Sequence, residues 1–219
     1  MQTLYNIALF YLWRAMAAET DYSESEGDKA AEIEHLTRLS KLYLAIIFRY
    51  RDYIEEHESI SVAELPTLIK PRNEKIVQKA QEIKSNFENY NYDEDFHEAA
   101  MIAFEFVKDE IDEVSLPIQF WINPEETLGF MAGDAIDKNI LLCSLLIALG
   151  NPTAKVFMNF RGESKKILVY FKFAEKIHVL DLEDGAKAFN SEDELNAFLK
   201  LDEDSTAYEF NDHMYVDLK

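Results

Sequence analysis

The chain is long enough to bury a sizeable core, and it is strongly acidic. It has 219 residues, of which 48% are hydrophobic and 13% aromatic, a composition that excludes a disordered chain. Its formal charge of −20 argues against binding to nucleic acid or anionic lipid, because both are bound through Lys and Arg side chains that neutralise phosphates. Basic partners, or solubility alone, remain compatible with this charge.

The cysteine count and the N-terminal pattern bear on the compartment. Cys143 is the one cysteine, which excludes an internal disulfide and fits a reducing cytoplasm. The apolar stretch 2–18 is broken by Asn6 and Arg14 and lacks the basic start of a signal peptide, so it predicts a packed helix. We therefore predict a cytoplasmic protein that does not associate with a membrane.

The first ninety residues have helical patterns. From about residue 30 to 56, apolar residues recur at three- and four-residue steps, and 72–87 predicts a further helix. The polar stretch 88–95 is typical of a turn. We therefore predict a helical N-terminal region, 1–90, followed by a second domain, 91–219.

The second domain combines helices with strand patterns. An amphipathic helix is predicted at 95–111, and Ile136–Leu149 is apolar almost all round, which predicts a central buried helix. Strand patterns follow at 154–160, 167–173 and 176–182, then a capped helix at 191–200 and a final strand or hairpin at 207–218. Helices, one buried helix and then antiparallel strands predict an α+β fold.

The most specific motif of the chain is "PEETLGFMAGDAIDKNILLCSLLIALG", residues 124–150. Together with the helix before it and the paired strands that end in "VLDLEDG", it resembles the transglutaminase-like domain, which has the papain-like cysteine fold. The resemblance covers about residues 95–185. It implies an α+β core in which the buried helix packs on an antiparallel sheet.

The resemblance also implies positions for a catalytic triad. In active members a cysteine follows the Gly-Asp pair, in the first helical turn, where free N–H groups favour a thiolate. A histidine on a following strand is the base, and an aspartate on the next strand orients it. Here these positions hold Ala135, Lys166 and Asp181, or Leu168 instead of Lys166 if the register shifts by two.

Two of the three catalytic groups are therefore missing, and thiol chemistry at this place is excluded. An engineered exchange would explain Ala135 alone but not Lys166, so we interpret the site as naturally degenerate.

Other reactive side chains have simpler interpretations. Cys143 lies in mid-helix in an apolar segment, which predicts a buried structural thiol. Strand alternation directs His178 and Asp181 to opposite faces, and Asp134 is predicted to cap the buried helix. The acidic clusters lack metal-site spacing, and the scattered glycines form no nucleotide loop, so neither a metal nor a cofactor is expected.

Three functions remain compatible with the sequence. The first is a catalytically inactive scaffold that binds a protein or peptide in its cleft, with Trp121, Asp134, Ala135 and Asp181 as candidate binding residues. The alternative is a peptidase-like hydrolase with relocated, non-cysteine catalytic residues, among them Asp134, Asp181 and Lys166. A purely structural role, in which the helical half mediates oligomerisation, is also compatible with the pattern.

Overall fold

The computed structural model describes residues 26–57, 61–115, 118, 120–162, 164–201 and 205–218. The predicted helix over 2–18 lies outside these ranges. The chain divides into two compact units, Met1–Asp52 and Tyr53–Lys219. No helix within the described ranges is long and apolar enough to cross a membrane.

The described part of the first unit is mainly one long helix, α1 (Glu26–Arg49). A turn at Tyr50 separates it from the short helix α2 (Arg51–His57), so the pattern predicted over 30–56 forms two helices. Along α1 many large apolar side chains are exposed: Ile33, Leu36, Leu42, Tyr43, Leu44, Ile46 and Phe48.

The second unit contains the remaining helices and the sheet. Its helices are a 3₁₀ helix (Val62–Leu68), α3 (Glu74–Lys84), α4 (Tyr92–Glu105), α5 (Pro124–Phe130), α6 (Ala135–Ala148) and α7 (Glu192–Leu199). A π-helical turn, Phe106–Glu110, continues α4. The helices predicted at 72–87, 95–111 and 191–200 are confirmed, with shifted ends.

The strands form one large antiparallel sheet and one short parallel pair. They are β1 (Asp112–Glu113), β2 (Ala132–Gly133), β3 (Lys155–Arg161), β4 (Ser164–Phe173), β5 (Lys176–Asp181), β6 (Gly185–Phe189), β7 (Thr206–Phe210) and β8 (Tyr215–Asp217). β1 pairs with β2, and the larger sheet has the order β6-β5-β4-β3-β7-β8. The predicted α+β class is confirmed.

Helix α6 is the centre of the second unit. Every residue from Ile136 to Leu146 is buried, because α3, α4 and α5 surround the helix together with β3 and β4. Beyond its end, Gly150 adopts a φ of +120°, a backbone conformation that favours glycine and that ends the helix. The predicted burial of this segment is therefore confirmed.

The two faces of the large sheet carry different apolar clusters. The helix-side cluster includes Val169 and Phe171 of β4 together with the core of α6. The cluster on the other face, named the α7-side cluster, includes Leu168 and Tyr170 of the same strand with residues of α7. This alternation along β4 is the two-residue period of a strand that is covered on both faces.

The division between the units differs from the predicted boundary at residue 90. Leu65, Ile76, Ala80 and Ile83 are buried in the same helix-side cluster as α6. Burial of these side chains makes the 3₁₀ helix and α3 part of the second unit, and the division falls between Asp52 and Tyr53 instead. The polar stretch 88–95 contains only the connection between α3 and the start of α4.

Candidate functional site

The candidate site begins at the N-terminus of α6, where Ala135 occupies the first helical position. Asp134 is the N-cap, as predicted: its Oδ1 accepts hydrogen bonds from the backbone N–H groups of Ile136 at 2.7 Å and Asp137 at 2.8 Å. Asp137 Oδ2 in turn accepts from the Asp134 N–H at 3.0 Å. The N–H groups that would stabilise a thiolate are thus occupied by side-chain carboxylates.

Asp137 also connects the segment before α5 to helix α6 through a hydrogen bond. Its side chain is fully buried, and its Oδ1 accepts from the Ile122 N–H at 3.0 Å. Burial, and then the negative charge of Asp134, raises the pKa of Asp137 to about 7. A Cβ at Gly133 would lie 2.9 Å from Asp137 Cβ, so a side chain at that position would push against this carboxyl group.

Lys166 and Asp181, the other two triad positions, are in direct contact. Lys166 Nζ lies 3.3 Å from Asp181 Oδ2 and 3.3 Å from Asp184 Oδ2, and 4.6 Å from the centre of the Phe198 ring. Asp181 Oδ1 accepts from the N–H groups of Glu183 at 3.0 Å and Asp184 at 3.1 Å. The carboxylate therefore stabilises the turn between β5 and β6.

The three triad positions do not share one face of the sheet. Leu168 is fully buried in the α7-side cluster, and strand alternation places Lys166 on the same face, in agreement with its position over Phe198 of α7. Ala135 packs against the helix-side cluster. Of the three positions, the structure brings together Lys166 and Asp181, and it places Ala135 with side chains of the other face.

Trp121 and Cys143 are both core residues. Trp121 is 7% exposed and belongs to the helix-side cluster, so its ring packs inside the protein. Cys143 is fully buried, and burial raises the pKa of its thiol, with a smaller contribution from Asp212. This agrees with the structural thiol expected from the sequence.

Sequence reasoning missed two features of this region. It did not assign Asp137 to the cap, although an acidic residue three positions after an N-cap is a signal for reciprocal capping. It also did not connect His97 of α4 with His178 of β5, whose rings lie 4.8 Å apart, centroid to centroid. No local pattern links residues so far apart in the chain.

The comparisons with known proteins give likenesses of fold. No family model matches the chain, and no curated protein matches it by sequence. Among solved structures, LapG of Legionella pneumophila has 17% identity and a TM-score of 0.43, with 73% of this chain and 89% of that chain covered. A candidate cysteine protease from Cytophaga hutchinsonii has 14% identity and a TM-score of 0.43, with 74% of this chain and 58% of that chain covered.

This likeness concerns the outline of the fold, as the resemblance of the sequence implies, and no activity follows from it. The chemistry that this chain can perform depends on its own side chains. Around Ala135 they are carboxylates that accept backbone N–H groups, and around Asp181 they form an ion pair at a turn. Within the described residues, no group of three or more His, Cys, Asp or Glu side chains is arranged to hold a metal ion.

Proposed function

We propose that this chain is a catalytically inactive protein-binding module whose second unit serves as a scaffold. The observation that carries the proposal is the start of α6, where Ala135 presents a methyl group at the position that requires a nucleophile. Cys143 lies about two turns further along, fully buried, where its thiolate form is disfavoured. The second unit therefore keeps the buried helix but has no reactive thiol at its start.

The surface that best suits a partner is helix α1. Leu36, Tyr43 and Ile46 lie on one face of this helix and are all exposed. From Leu36 to Arg49 the helix has three cations, Arg38, Lys41 and Arg49, and no acidic residue, although the whole chain is strongly acidic. The partner that fits this surface is a protein with an apolar strip and acidic groups around it.

The hydrolase alternative has weaker support. The perturbed carboxyl group of Asp137 is the kind of group that hydrolases use, but its side chain is fully buried and both of its oxygens accept backbone N–H groups. Asp181 is also buried, and it holds a turn in addition to its contact with Lys166. Neither carboxylate is placed to reach a substrate.

The proposal predicts an inert thiol. At about pH 8, iodoacetamide is expected to leave Cys143 of the native protein unmodified and to alkylate it fully in urea, because only unfolding exposes the sulfur. In Ala135→Cys, the added thiol is expected to be alkylated in the native state, since residue 135 is partly exposed. Mass spectrometry of the digested protein measures both. Rapid alkylation of Cys143 in the native protein would contradict the buried, inert thiol. A peptidase activity that survives full alkylation of Cys143 would favour the hydrolase with non-cysteine catalytic residues instead.

The partner surface predicts a second result. Peptides that combine apolar and acidic residues are expected to bind the full chain with micromolar affinity in a fluorescence-anisotropy screen. Ile46→Glu should weaken this binding by about tenfold, because it places a charge within the apolar strip.

Ala45→Glu provides the matched control, because it adds the same charge one position away on the helix, about 100° from the strip. It should change the affinity by no more than about twofold. Equal effects of the two variants, or no binding by any peptide, would reject α1 as the partner surface. Concentration-dependent self-association in sedimentation experiments, lost in Ile46→Glu, would identify a second copy as the partner.

A further inference from the structure

Two histidines from different elements of the second unit lie side by side. His97 is on the exposed side of α4, and His178 is in the middle of β5, with ring centroids 4.8 Å apart and an angle of 59° between the planes. The ring of Phe171 is stacked on His178 at 5.1 Å and 9°. The orientation of His178 is therefore fixed by packing.

The nitrogen atoms of His178 are in different surroundings. The backbone of Phe173 hydrogen-bonds to the ring, whereas Nε2 is shielded from solvent and has no hydrogen-bond partner among the residues that the structure describes. The bond to Phe173 therefore involves Nδ1, and it selects the tautomer in which Nε2 keeps a free lone pair. A shielded polar atom without a partner is costly, and a cation bound to Nε2 would supply the interaction that the protein does not.

We propose that His97 and His178 form a binding site for a late first-row divalent cation such as Zn²⁺ or Ni²⁺. Imidazole nitrogen is a preferred ligand of these ions. Two imidazoles that bind one ion at about 2.1 Å have centroids roughly 5 Å apart, close to the separation seen here. A backbone carbonyl that accepts from the other ring nitrogen is the usual support for a metal-binding histidine.

The surrounding charges favour a cation on balance. Glu94 and Glu98 lie within one turn of His97 on α4 and increase the negative potential there. Lys176, which precedes His178 on the same strand, has the opposite effect.

Two protein ligands leave room in the coordination shell for water or for a donor from another molecule. We therefore expect an affinity in the micromolar range, without the tight closure of a structural zinc site.

Isothermal titration of the full chain with ZnCl₂ or NiCl₂ at about pH 7.5 tests this inference. We expect one bound ion per chain, and an affinity that falls by at least about tenfold in His97→Gln. His213→Gln serves as the matched control, because His213 is exposed and lies beside Asp212; it should leave the affinity within about twofold of the original. Lowering the pH to about 5.5 should weaken binding, because protons compete for imidazole nitrogen.

Because the His178 ring is stacked on Phe171, substitution of His178 also removes this packing, so NMR provides the second measurement. Addition of Zn²⁺ should shift the Nε2 resonance of His178 and the ring signals of His97, and Mg²⁺ at the same concentration should not. No binding, or equal affinity in His97→Gln and His213→Gln, would overturn the proposal. Shifts confined to acidic side chains elsewhere would also overturn it.

Discussion

Raising the pH from about 4 to about 7 is expected to destabilise the native protein relative to an Asp137→Asn variant. Burial and the charge of Asp134 raise the pKa of Asp137 to about 7, from an ordinary value near 4. The folded state therefore binds more protons than the unfolded state between these two values, and the free energy of unfolding falls as the pH rises through this window.

The size of the expected loss in the free energy of unfolding follows from the change in the pKa of Asp137. About three pKa units correspond to at most roughly 4 kcal/mol, and less if the chain relaxes around the charge. The amide of the Asp137→Asn variant removes the charge but keeps only one acceptor oxygen for the Ile122 and Asp134 N–H groups, so near pH 4 urea unfolding should show the variant less stable by about 1–3 kcal/mol. Between about pH 4 and pH 7 the difference in the free energy of unfolding should shift in favour of the variant by up to a few kcal/mol.

A control variant distinguishes the effect of protons binding to Asp137 from the general charge repulsion within an acidic chain. Asp93→Asn removes one exposed carboxylate near the start of α4, and its difference from the native protein should stay within about 0.5 kcal/mol across the same pH range. If Asp137→Asn were destabilised equally at pH 5 and pH 8, the lost acceptors for the Ile122 and Asp134 N–H groups would outweigh the charge, and the linkage would be absent.

Sequence patterns predicted those features that depend on neighbours in the chain. The apolar run after Asp134 is a buried helix, and Asp134 is its cap, because a helix needs side-chain acceptors for its first N–H groups. The β4–β5 hairpin also followed from its residues: a two-residue turn at Ala174 and Glu175 joins two runs of strand-forming side chains.

What the sequence could not predict was which sheet face α6 would cover. Counting along the hairpin places Lys166 and Asp181 on the same face, and they do contact each other. The face that receives α6 depends on how the whole helical layer packs, and in this protein it is the face of Val169 and Phe171. Ala135 therefore packs with side chains of that face, whereas Lys166 and Asp181 contact each other and Lys166 lies over Phe198 of α7.

The predicted boundary at residue 90 has a related explanation. Polar turn signals mark ends of elements, but they do not say whether the next element packs on the same core. Ile76 and Ile83 lie on one face of α3, and their burial in the helix-side cluster joins the region before residue 90 to the α+β core. An amphipathic helix always needs a partner, and the sequence left the identity of that partner open.

Phe96→Ala is expected to destabilise the second unit strongly, because it removes the aromatic ring that packs between α4 and the sheet. The Phe96 ring is fully buried there, with its centroid 5.3 Å from Phe171 and 5.1 Å from Phe173. Removing it takes away apolar burial and the two aromatic contacts with the sheet, and it leaves a cavity. We expect a loss of about 3–5 kcal/mol, out of the roughly 5–15 kcal/mol that is typical of domains.

Thermal unfolding followed by circular dichroism measures this loss, which should lower the melting temperature by roughly 10 °C. Phe130→Ala removes the same ring from a position that is 41% exposed, and it should cost no more than about 1 kcal/mol. Phe96→Leu keeps most of the apolar volume and should fall between the two. A loss of less than about 1 kcal/mol in Phe96→Ala would mean that α4 does not pack on the sheet through this ring. Because Phe171 contacts both Phe96 and His178, the proposed metal site would then lose its structural basis as well.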